Sequence, residues 1–232
     1  MKKNILLIGG STGIGKEIAE RMASENNILI ASRNKIETES ENIRHFKFDV
    51  LEDDIQSLEL PDTLHGFVYC PGSIDLKPFK MLKPSHFEKE MNLNFFGLVR
   101  TLNGVLSKLK NAEQASLVFF STVAVKTGMP FHTGVAAAKG AVEGFARSLA
   151  AEYAPSFRVN VIAPSLTDTP LAKKLLSSDE KKKKMDSRHP LKRIGTPGDI
   201  AALAAYLLNE ESSWMTGQVL GMDGGLSTLN IN

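Results

Sequence analysis

Ile5-Leu6-Leu7-Ile8-Gly9-Gly10-Ser11-Thr12-Gly13-Ile14-Gly15 is the stretch on which the fold turns. An apolar run this short, ending in glycines, reads as a buried strand. Ile14, Ile18 and Met22 then recur at four-residue spacing, the stripe of a helix lying on a sheet. Between them, Gly9, Gly13 and Gly15 allow a tight turn and a close approach of backbone N–H groups to a pyrophosphate. The positive end of the following helix adds to that attraction. Strand, glycine turn and helix together predict a dinucleotide-binding unit.

The same alternation continues along the chain. Apolar runs at 28–31, 45–50, 67–70, 117–120, 159–162 and 218–222 read as six more strands. Ser85-His86-Phe87-Glu88 has capping-box spacing and opens a helix expected to run to about Lys110. The alanine-rich stretch from Gly134 to Tyr153 reads as a buried helix, and Thr196-Pro197-Gly198-Asp199 as the start of another. These elements predict an α/β fold: a doubly wound, parallel seven-stranded sheet of Rossmann type, with helices on both faces. No repeat or boundary divides residues 1–232, so one domain is expected. Only fifteen residues separate Arg33 from Asp49, too few for a long crossover helix plus a strand.

Composition narrows the functional classes. The 28 basic and 26 acidic residues leave a net charge of +2, without the basic stripe of a nucleic-acid binder. One cysteine, Cys70, permits no internal disulfide, and five scattered histidines give no metal-ligand spacing. No apolar stretch approaches the ~20 residues of a membrane span. The first apolar run is too short for a signal-peptide core, and a cytoplasmic location is expected. After the second strand stands Arg33, with no acid at 31–33. An acid there accepts from a ribose 2′-hydroxyl, whereas arginine accommodates a 2′-phosphate, so NADP(H) is favoured over NAD(H). Asp49 is placed to accept from the adenine amino group or to cap a turn.

The chain resembles the short-chain dehydrogenase/reductase family from about Asn4 to Ser227. The resemblance is carried by Gly9-x-x-x-Gly13-x-Gly15, Asn94-Phe95-Phe96-Gly97, Lys139 within Ala136-Ala137-Ala138-Lys139-Gly140, and Asn160-Val161-Ile162-Ala163-Pro164. Arg193-Ile194-Gly195-Thr196-Pro197, Trp214-Met215-Thr216-Gly217-Gln218 and Asp223-Gly224-Gly225 extend it to the C-terminal region. At 67–72, where the family reads Asn-Asn-Ala-Gly, only Gly72 matches. The resemblance implies nicotinamide-cofactor contacts from Gly9, Ser11, Thr12, Gly13, Ile14, Gly15, Arg33, Asp49, Val50, Gly72, Lys139, Pro164 and Thr167. It implies Asn94, Thr122 and Lys139 as active-site residues, with Ser121 a weaker alternative to Thr122.

One departure is central. The family sets a tyrosine four residues before its lysine as the proton donor; Val135 stands there. The substitutes are His132, because an imidazole suits proton exchange near neutral pH, a water held by Lys139 and Thr122, and Lys139 itself with a lowered pKa. Two functions follow. One is NADP(H)-dependent reduction of a carbonyl, with a 3-oxoacyl thioester as the leading substrate guess. The other is a catalytically impaired dinucleotide-binding protein acting as a sensor or partner subunit. Residues 168–190 lie where the family places its substrate lid. There Leu171, Leu175, Leu176 and Met185 offer apolar contacts, and Lys181–Lys184 form either a phosphate-facing patch or a solvated face. The resemblance also implies a homo-oligomer, dimer or tetramer, with one interface through the helices at 85–110 and 134–153 and another through the C-terminal helix and strand.

Overall fold

Strands with apolar side chains on both faces need cover on both sides, and the structure supplies it. In the computed structural model, which describes residues 2–230, seven parallel strands form one sheet in the order β3-β2-β1-β4-β5-β6-β7. They are β1 (Lys3–Ile8), β2 (Asn26–Ser32), β3 (Ile43–Lys47), β4 (Gly66–Tyr69), β5 (Ala115–Phe120), β6 (Phe157–Pro164) and β7 (Val219–Met222). Alternation along each strand divides the core in two. Ile5, Leu7, Ile28, Ile30, Val68 and Val118 pack under α1 (Gly13–Met22) and α7 (Pro197–Leu208). Leu6, Leu29, Phe67, Leu117, Phe119 and Val159 face α3 (Gly97–Lys110) and α5 (Thr133–Tyr153). The expected doubly wound architecture is therefore present.

Strand order reverses between β1 and β4, which leaves a crevice at their C-terminal ends. Gly9 (φ 79°) and Gly13 (φ 57°) adopt the left-handed conformation that turns the chain from β1 into α1. Gly15 answers a different demand. A Cβ there would lie 2.8 Å from both Gly10 Cα and Gly9 O. The helix thus begins against the backbone of its own turn, at the mouth of the crevice.

Three expectations need correction. The third strand ends at Lys47 and does not run to Val50. Asp49 Oδ1 accepts from Leu51 N at 3.0 Å and Asp53 Oδ2 from Asp49 N at 2.7 Å, so the chain turns away from β2 at this point. The helix expected from Ser85 begins instead with Pro84 in its first turn, as α2 (Pro84–Met91). Lys83 occupies the cap position, and its N–H donates to His86 Nδ1 at 3.1 Å. That helix is also not a uniform α-helix as far as Lys110: a π segment, Asn92–Phe96, separates α2 from α3. By contrast, Thr196 and Asp199 close a capping box at α7. Ser178 caps α6 (Asp179–Arg188) through Lys181 N. No helix occupies the link between β2 and β3, in keeping with its short length.

Gly15→Ala has no room for its methyl group, because both opposing atoms are backbone. Overpacking of this kind costs roughly 1–3 kcal/mol. A corresponding loss of stability in chemical denaturation is expected, together with impaired dinucleotide binding in the fraction that folds.

Candidate active site

The crevice opens into a cavity of about 620 Å³, within the size range of small-molecule and cofactor sites. Its floor is the glycine turn: Gly9, Ser11, Thr12, Gly13, Ile14 and Gly15 all line it. Arg33, Asp49 and Val50 line one end, beyond β2 and β3. Gly72, Pro164 and Thr167 line the middle, and Thr122, His132 and Lys139 the far end. Every residue expected to contact a cofactor therefore stands on this one wall. Arg33 is exposed at its rim, without an ion-pair partner among the described residues. Asp49 uses one carboxylate oxygen to cap its own turn, as its alternative reading had it.

Asn94 lies behind the wall, next to the residues that line it. It is fully buried behind Gly72 and Ser73. The π segment explains its orientation. Gly97 N donates five residues back to Asn92 O, and the widened turn lets the Asn94 side chain fold over the preceding helix. Its Nδ2 donates to Glu90 O at 2.9 Å, to Glu90 Oε2 at 3.0 Å and to Ser73 Oγ at 3.1 Å. Its Oδ1 is buried with no hydrogen-bond partner among the described residues.

Two side chains in this group carried no sequence signal. Ser73 lines the cavity and donates to Glu90 Oε2 at 2.5 Å. Glu90 is 8% exposed, the one buried residue of α2. Lys139, 7% exposed, extends to the same side of Gly72 as Asn94 Oδ1. Burial lowers the Lys139 pKa to about 8, while the Glu90 carboxylate and Cys70 pull it upward. Burial pushes the Cys70 thiol up to about 12, against the pull of the Lys139 charge.

The hydroxyls and imidazole at the far end are differently committed. Thr122 Oγ1 accepts from Ala124 N at 3.3 Å, capping α4 (Val123–Thr127) while still lining the cavity. Ser121 donates to Glu143 Oε1 at 2.6 Å, which ties its hydroxyl to α5. His132 stands at the cap position of α5 with Nδ1 2.7 Å from Pro130 O. A carbonyl oxygen only accepts, so Nδ1 carries the proton and Nε2 of the neutral ring has none to give. Val135 lines the cavity one turn before Lys139, and no tyrosine joins it on that wall among the described residues. In the lid region Leu171, Leu175 and Met185 reach the cavity, but Leu176 does not. Nor do the four lysines at 181–184: α6 has no buried residue, and Lys182 pairs with Asp168 at 2.7 Å. Their solvated-face reading is the one the geometry supports.

A family model described as Enoyl-(Acyl carrier protein) reductase matches residues 9–227. Glucose 1-dehydrogenase of Gluconobacter oxydans is 31% identical, over 97% of this chain and 92% of its own length. The chain belongs to the short-chain dehydrogenase/reductase family. Another family relative, 3-oxoacyl-(acyl-carrier-protein) reductase FabG of Chlamydia trachomatis, is 29% identical over 98% of both chains. The solved structure of ElxO with NADP bound superposes with a TM-score of 0.90 at 26% identity, covering 99% of this chain and 100% of that one. Family membership makes this an oxidoreductase scaffold and gives the cavity its context.

The depressed Lys139 pKa has a consequence for stability. The unfolded chain holds this proton up to the ordinary lysine value of 10.5, the folded protein only up to about 8. Below pH 8 both states are protonated and the folded state bears the full cost, about 3 kcal/mol. That cost is relieved as pH rises from 8 toward 10.5. Lys139→Met should therefore stabilise the protein by roughly 1–3 kcal/mol at pH 7, a gain that shrinks above pH 8. Thermal unfolding at pH 7 and pH 10 measures the difference.

Proposed function

We propose that this chain is an NADP(H)-dependent oxidoreductase that reduces a small-molecule carbonyl, and that it does so without the family's tyrosine. The observation that carries the reading is the joining of two features in one cavity: a glycine turn with Arg33 at one end, and buried Lys139 at the other. The residues fit a dinucleotide. The turn has no room for a Cβ at Gly15, and its backbone and the start of α1 suit a pyrophosphate. Arg33 would take the 2′-phosphate, and Lys139 the nicotinamide ribose. The NADP named with ElxO supports this choice. When bound, the cofactor supplies the hydride; the protein's part is orientation and proton handling.

A 3-oxoacyl thioester is the leading substrate, by analogy with the FabG relative, and the apolar contacts of Leu171, Leu175 and Met185 suit an acyl chain. Oligomer formation through α3 and α5 belongs to the same reading: Gly144 is exposed, with nothing near its missing side chain. The second reading, a dinucleotide-binding sensor or partner subunit, is favoured by Val135 on the cavity wall. Losing a general acid costs on the order of 10²–10⁴ in rate.

Fluorescence titration should give tighter binding of NADPH than of NADH. Arg33→Ala should weaken NADPH binding about tenfold, a change of ~1.4 kcal/mol, and leave NADH nearly unchanged; equal affinities in the parent protein would remove the NADP(H) assignment. Val135→Tyr sets a phenol one helical turn from Lys139. It should reduce an activated diketone at least tenfold faster than the parent, ~1.4 kcal/mol in barrier. A folded, NADPH-binding Val135→Tyr protein that turns over no carbonyl would put the sensor reading first.

A further inference from the structure

α2 lies on the surface, and seven of its eight residues have solvent access; Glu90 alone is buried. Burying a carboxylate is costly unless hydrogen bonds and a counter-charge compensate it. Here both are present. Glu90 Oε2 accepts from Ser73 Oγ at 2.5 Å and from Asn94 Nδ2 at 3.0 Å, and its charge attracts that of Lys139 through space. An apolar side chain would fill this place without any of that support. What the acid adds is a proton site one hydrogen bond removed from the cavity, because Ser73 lines the cavity and Glu90 does not.

We infer that Ser73 and Glu90 form a proton relay, in which Ser73 Oγ exchanges a proton with the substrate oxygen and Glu90 Oε2 holds it behind the wall. The inference rests on the oxidoreductase reading above. In the alcohol-oxidising direction, the substrate O–H bond breaks toward Ser73 Oγ as the Ser73 O–H bond breaks toward Glu90 Oε2. A bound oxidised nicotinamide would take the substrate hydrogen with the C–H electron pair, leaving a C=O bond. In reduction the carbonyl carbon gains that hydrogen with two electrons. Its oxygen takes the Ser73 proton, and Ser73 takes one from the protonated Glu90 carboxyl. The observed hydrogen bond, donated by Ser73 to Glu90, has the polarity of the oxidising direction. Asn94 orients the carboxylate, and Lys139 supplies the charge that balances it after proton release.

The test compares the full-length parent with Glu90→Gln, Glu90→Asp and Ser73→Ala. NADPH affinity is read by fluorescence titration. Turnover is read with NADPH and 2,3-butanedione, 9,10-phenanthrenequinone or acetoacetyl-coenzyme A. Glutamine keeps the shape and the hydrogen bonds but cannot hold the proton. Glu90→Gln and Ser73→Ala should each lose at least a hundredfold in kcat, with KM and the NADPH dissociation constant within threefold of the parent. Glu90→Asp should recover at least tenfold over Glu90→Gln. A kcat within threefold of the parent in Glu90→Gln or Ser73→Ala overturns the relay. So does a loss of NADPH affinity that matches the loss of kcat, which would make Glu90 a support of the cofactor wall. If Glu90→Gln fails to fold, Ser73→Ala, which changes only a hydroxyl in a loop, decides alone. A parent that reduces none of the carbonyls overturns the oxidoreductase reading and the relay with it. An active parent with unaffected variants removes the relay only.

Discussion

The backbone of α1 touches the backbone of the turn that precedes it, and the rest of the cavity is arranged around that contact. With no side chain at Gly15, the helix starts directly against Gly9 and Gly10, at the end of β1. Because β1 sits at the point where strand order reverses, the same contact places the helix N-terminus in the crevice. Gly9 in turn packs against Pro71 of the loop after β4, where a Cβ would meet the ring at 3.1 Å. That loop continues through Gly72 and Ser73. The glycine turn and the Glu90 cluster are therefore linked through the Pro71–Ser73 loop.

The opposite end of the cavity is governed by charge. Lys139 and Glu90 are opposite charges brought out of water on neighbouring helices, and a lysine so placed gives up its proton more readily than one in solution. Packing alone would be served better by apolar residues. The π segment belongs to the same economy: it costs regular helix geometry and in return turns the Asn94 amide onto both the backbone and the carboxylate of Glu90. An irregular helical turn and desolvation thus gather where proton chemistry is proposed, and the sheet behind them stays regular.

The sheet was legible because buried parallel strands write themselves as apolar runs, as at Leu117–Phe120, and the start of α7 because Thr196 has a capping signature. The third strand was overextended because Phe48 and Val50 are buried and look like strand residues, although Asp49 and Asp53 have already turned the chain. Lys83 as a cap was invisible because lysine carries no capping preference. The glycine turn and Lys139 could be found from spacing and family resemblance. Glu90 could not: in Glu88-Lys89-Glu90 it reads as one more solvated charge, and only the packing of Ser73 and Asn94 against it distinguishes it. Asn94 was found, but its place behind the wall depends on a π turn that no local pattern announces.

The missing helix between β2 and β3 bears on how long a dinucleotide would stay bound. β3 is an edge strand with no fully buried residue, and the cover at that end comes from the loops after β2 and β3, without a helix. An adenine there would keep much of its contact with water, so most of the hold would come from charge on the phosphates. Charge at an exposed rim is screened over about 8 Å at physiological ionic strength. Retention of the ligand would then follow the salt concentration of the medium, and the protein would exchange its dinucleotide with the surrounding pool instead of sequestering it.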